Sequence, residues 1–159
     1  MTAAERLQAL VRLRELRERK ARMALAHQVR SRDELEQRLD ALTDVHRRHS
    51  EDLARRDARN GAALLGEIVD HWQVQHYQEQ AGERVRLDEQ FTRQLQALAN
   101  ERTQVLARLD TLRRHHQQHQ ARSEAMAQVL GRALRQVQLR AQWHAEWEAE
   151  DRPSGSRHG

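Results

Sequence analysis

From about residue 3 to residue 150, apolar side chains recur at intervals of three and four, and only one short stretch is rich in turn-forming residues. That pattern predicts two long α-helices. In the first, Leu13, Leu16, Met23 and His27 keep the three-four spacing, and Leu35, Leu39, Leu42, His46, His49 and Leu53 keep it again. Between His27 and Leu35 the phase slips around Ser31, a stutter that relaxes a supercoil without ending the helix. Thr2 and Glu5 form a T-x-x-E capping box, so helix one is expected from about residue 3.

The stretch NGAALLG, Asn60 to Gly66, is the expected reversal. Asn60 and Gly61 tolerate the left-handed conformation that ends a helix, and Gly66 loosens the restart. Helix one is thus expected at 3–59, roughly 85 Å long, the turn at 60–66 and helix two at 66–150. Leu65, Ile68 and Trp72, widened by Val69, restart the stripe. It weakens around Gly82 and recovers through Phe91, Leu95, Leu98, Val105, Leu109, Leu112, His116 and His119, with Arg102 out of character. Met126, Leu130, Leu134 and Val137 extend it, and Asp151 to Gly159 form an expected disordered tail. The fold class expected is all-α, a long antiparallel two-helix coiled-coil hairpin in one domain. With the fold-back near residue 62, residue 10 comes beside residue 114 and about 28 residues of helix two overhang, carrying Trp143 and Trp147. An exposed apolar stripe of that kind marks a surface for another chain.

Composition supports long helices over a round core. Charged residues are 33% and aromatics 3%, with one proline, too few large apolar side chains to fill a globule. The chain has no cysteine, which removes disulfides and thiolate metal sites and is compatible with a reducing compartment. No apolar run is long enough to span a bilayer, and arginines interrupt the N-terminus, so a soluble, cytoplasmic protein is expected.

Charge is unevenly laid out. Residues 1–32 carry net +6 and 111–140 net +5, whereas 33–110 carry net −5 and 141–159 net −2. A fold-back at the turn sets the two basic segments side by side and leaves an acidic end, a polarised rod whose ends prefer different partners.

Candidate chemistry is sparse. No phosphate-binding glycine loop, nucleophile elbow or cysteine nucleophile is present, and a narrow rod offers no dry pocket, so no enzymatic activity is expected. His46 and His49 with His71 and His76, and separately His115, His116 and His119, are candidate imidazole clusters. The reading preferred over metal is polar seam layers that set register, and neither metal nor cofactor is expected. Arginines at the basic end are interleaved with Glu15 and Glu18 and lack alternating aromatics for base stacking. An acidic protein socket is therefore expected there ahead of nucleic acid.

Length, hairpin organisation, the stretch ELEQRLDALTDVHRRHSEDL (Glu34 to Leu53), and a glycine-containing break followed by WQVQHY (Trp72 to Tyr77) resemble the FliJ/YscO family. These are central stalk proteins of flagellar and virulence type III secretion systems. The resemblance implies a stalk whose open end meets a hexameric secretion ATPase and whose rod reaches an export gate protein, with secretion chaperones as further partners. On that basis Arg12, Arg14, Arg113, Arg114, Leu130, Leu134, Val137, Trp143 and Trp147 are the expected ATPase contacts. Leu39, Leu42, His49 and Trp72 are the expected gate contacts. His46 and His49 stand where relatives carry aromatics. A coiled-coil adaptor without an ATPase partner, and a basic-helix nucleic-acid binder, are the alternatives.

Overall fold

The computed structural model describes residues 2–65 and 68–151, Ala63 by its backbone alone. Two helices account for the regular structure, α1 (Ala3–Leu64) and α2 (His71–Glu150), with no strand among the described residues, an arrangement consistent with a helical hairpin. The start of α1 follows the capping box. The Thr2 N–H donates to Glu5 Oε2 at 2.6 Å and the Glu5 N–H to Thr2 Oγ1 at 3.2 Å, satisfying donors that the first turn leaves free.

The reversal comes later in the chain than the turn chemistry suggested. Asn60 and Gly61 lie inside α1, which runs on through Ala62 to Leu64. Alanine and leucine are among the strongest helix formers, and here they carry the helix past a tolerated glycine. The restart is fixed by a second capping box, at Asp70. Its N–H donates to Gln73 Oε1 at 3.1 Å, and the Gln73 N–H donates to Asp70 Oδ1 at 2.8 Å. The expected helix two start at 66 is thereby corrected to His71. The role given to Gly66, and the tail beyond Asp151, lie outside the described residues.

By their contacts the helices fall into two compact units, Met1–Leu25 with Thr111–Gly159, and Ala26–Asp110. In the Ala26–Asp110 unit the core is Leu35, Val105 and Leu109, with Leu35 0% and Leu109 1% exposed. Leu39, Leu42, His46, His49 and Leu53 of α1 and Phe91, Leu95 and Leu98 of α2 are half-buried around it. Polar contacts tie the helices antiparallel at the rim: the ion pairs Arg102 Nε to Glu36 at 2.6 Å, Arg38 to Glu101 at 3.7 Å and Arg84 to Asp57, and the hydrogen bond between His46 Nε2 and Asp88 Oδ1 at 2.8 Å. The midpoints of these pairs fall between residues 67 and 71, which corrects the fold-back near residue 62. Arg102, out of character in an apolar stripe, reaches across to a carboxylate instead of entering the core.

In the terminal unit Val11 is buried. Leu7, Arg14, Glu18, Ala21 and Leu25 of α1 and Leu112, His116, His119, Met126 and Leu130 of α2 are half-buried. The inward row of α1 is therefore not the expected Leu13, Leu16, Met23 and His27, all of which are exposed. Once Leu7, Val11, Arg14, Glu18, Ala21, Leu25, Gln28, Arg32 and Leu35 are taken as that row, the three-four spacing passes Ser31 without a stutter. Ser31 Oγ donates to the His27 carbonyl at 3.2 Å, within the turn it was expected to disturb.

The outer face of α1 is a solvated charge ladder. Arg47 sits between Asp44 at 3.1 Å and Glu51 at 3.4 Å. Its pKa is pushed up from the ordinary arginine value, first by the Asp44 hydrogen bond and charge and then by Glu51.

Candidate functional site

Any surface for a partner must come from side chains that the helix packing leaves uncovered. One such surface is the end of α2, where Ala133 is the last half-buried residue and every residue from Leu134 to Asp151 is exposed. Trp143 is 74% and Trp147 75% exposed, and Val137 and Leu139 are also open. Among the expected ATPase contacts, Arg12, Arg113, Leu134, Val137, Trp143 and Trp147 are thus presented to solvent. Arg114 is exposed and engaged in an interaction of its own. Arg14 and Leu130 are half-buried and belong to the inward rows instead. Residues 1–25 of the first basic segment meet the second in the terminal unit, as a fold-back implied, and Glu18 of one lies 3.0 Å from His116 Nε2 of the other.

The expected gate contacts separate into two kinds. Leu39, Leu42 and His49 are half-buried in the Ala26–Asp110 unit, where the His49 ring lies 5.7 Å from that of Phe91. Trp72 stands in the first turn of α2, 71% exposed, with its ring stacked on His76 at 5.6 Å. Leu65 and Ile68, expected to restart the stripe together with it, are exposed as well.

The histidines do not meet as the sequence suggested. His46 faces Asp88 and Phe91 rather than His71 or His76, because the later reversal moves those two away from it. His116 pairs with Glu18, and buried nitrogens of His49 and His119 have no hydrogen-bond partner. Among the described residues, no group of three or more His, Cys, Asp or Glu side chains is placed to hold a metal ion. Two grooves of about 540 and 320 Å³ run open to solvent, the first along Gln75, Gly82 and Arg86, the second beside His49, Leu53 and Arg84. No described helix is long and apolar enough to cross a membrane.

Two features were missed from the pattern. Glu18 lies in the inward row and finds His116 there, and the Asp70-x-x-Gln73 box marks the start of α2. The second was open to reading, since D-x-x-Q has capping-box spacing. Compared with protein-family models, curated proteins and solved structures, the chain finds no match.

Proposed function

We propose that this chain is a non-enzymatic stalk protein of a bacterial type III secretion system. In this role it links and stimulates the hexameric secretion ATPase, contacts the export gate and engages secretion chaperones. It acts in the cytoplasm, peripheral to the inner-membrane apparatus, and needs no cofactor. Its helices form an antiparallel coiled coil whose α2 runs past the start of α1. Half-buried positions at three-four spacing on both helices support the coiled coil. Counting from Glu18 beside His116 back to Ala3 brings the start of α1 level with about residue 131, leaving roughly 20 residues of α2 beyond it. That overhang is shorter than the 28 residues expected, because the reversal lies later.

The observation that carries this reading is the exposed end of α2 with Trp143 and Trp147 open to solvent, next to a basic segment. Tryptophans in a small exposed patch are typical anchors of a protein contact. In the ring, the arginines steer the rod to acidic loops and the tryptophans hold it. Asymmetric contacts then couple nucleotide state to gate engagement, and at the turn Trp72 is the gate-facing residue.

Co-purification with a hexameric secretion ATPase tests this. Retention of the ATPase is expected with the native chain, with at least a tenfold loss on Trp143→Ala with Trp147→Ala, or on Arg113→Glu with Arg114→Glu. Equal retention of native and variant chains, or salt-sensitive binding to bare DNA with no ATPase retained, contradicts the reading.

A further inference from the structure

The exposed end of α2 has ordered charge as well as apolar surface. Arg132, just before it, with Arg135 and Arg140 make its beginning basic, and Glu146, Glu148 and Glu150, with Asp151 just past the helix, make its end acidic. Leu139, Trp143 and Trp147 are spaced by four and share one face of the helix. Arg132 and Glu150, five full turns apart, lie at the two ends of that face. Arg135 and Glu146 are separated by about three turns, so they lie on one and the same edge of it.

The geometry points to a second copy of this chain as the occupant of this face, laid antiparallel about a two-fold axis near residue 141. In such a pair like edges of the two helices meet, and residue i faces j while j faces i. Leu139 then packs on the partner's Trp143, Arg132 meets the partner's Glu150, and Arg135 meets the partner's Glu146. Each contact occurs twice. One like-charge approach remains, Arg140 near its own copy beside the axis, against four matched pairs. A parallel pairing sets arginine on arginine and glutamate on glutamate, so charge selects the antiparallel arrangement.

The lengths also agree. The exposed stretch starts at Leu134 and α2 ends at Glu150, so the partner's last turn arrives where shielding by α1 begins. Two tryptophans per chain bury at most about 500 Å² of apolar area, or about 1,000 Å² for the pair. That lies below the roughly 1,200 Å² at which stable interfaces begin, so the pairing is weak and its extent depends on protein concentration. The pairing involves this chain alone and does not rest on the secretion role; because it covers Trp143 and Trp147, it competes with any ring contact through the same face.

Sedimentation velocity of the full purified chain between about 1 and about 100 µM tests it. The expected result is a mass that doubles across that range. Arg135→Glu and Glu146→Arg are each expected to weaken self-association about tenfold. An equimolar mixture of the two variants is expected to recover it, since each supplies the other's missing sign. Trp143→Ala with Trp147→Ala is expected to abolish it, with helical content by circular dichroism unchanged in every variant. A chain that stays monomeric at 100 µM overturns the proposal. So does a dimer indifferent to the tryptophan change, or a mixture that associates no better than either variant alone.

Discussion

Leu35 and Leu109 carry a large share of the stability, because in a pair of slender helices few side chains can be fully surrounded. Each is almost wholly buried. Leu35→Ala or Leu109→Ala is expected to cost about 2–4 kcal/mol, read from urea unfolding followed by helical circular dichroism. Leu16→Ala and Met23→Ala, at exposed positions, are expected to change stability by less than about 0.5 kcal/mol. If Leu16 or Met23 proved as costly as Leu35, the inward row would be the one the hydrophobic pattern suggested. The pattern misassigned it for a physical reason. Arg14 and Glu18 are half-buried in the inward row, where long aliphatic stems can cover apolar surface, and the Glu18 carboxylate ends on His116. A count of apolar residues treats both as solvent-facing and slides the row onto Leu13 and Leu16.

At the scale of the element, the helix boundaries depend on local hydrogen bonds more than on propensity. Asp70→Ala removes the acceptor for the Gln73 N–H and is expected to cost about 1 kcal/mol, with the loss seen as faster amide exchange in the first turn of α2. Gly61 discriminates between the two places for the reversal. It is helical and a β-carbon there meets nothing within 4 Å, so Gly61→Ala is expected to stabilise by up to about 1 kcal/mol. A left-handed glycine ending a helix at that site would make the same change destabilising. The existence of two long helices, the capping box at Thr2 and the helix end near Glu150 were legible in the sequence, because each rests on local pattern. The position of the reversal was not, because Asn60-Gly61 carries a stronger turn signal than Leu65 to Asp70. The outcome depends on the whole register of cross-helix pairs such as Glu36 with Arg102.

For the molecule as a whole, charge layout was the most legible property, and it depends least on register: most of the first basic segment, residues 1–25, meets the second in one unit even though the reversal moved. The candidate site was legible in part. Trp143 and Trp147 were foreseen as open and are open, whereas Leu39, Leu42 and His49 pack against the partner helix, which a single-helix pattern does not reveal. The stalk role joins these features into one claim, that the end of α2 acts on a rotary-type ring. The most direct measurement is steady-state ATP turnover by the purified hexameric secretion ATPase, titrated with the native chain and with the Trp143→Ala, Trp147→Ala double variant. The stalk role predicts saturable stimulation by the native chain and at least a tenfold higher half-maximal concentration for the variant. Turnover that is the same with the native chain, with the variant and with neither would contradict it.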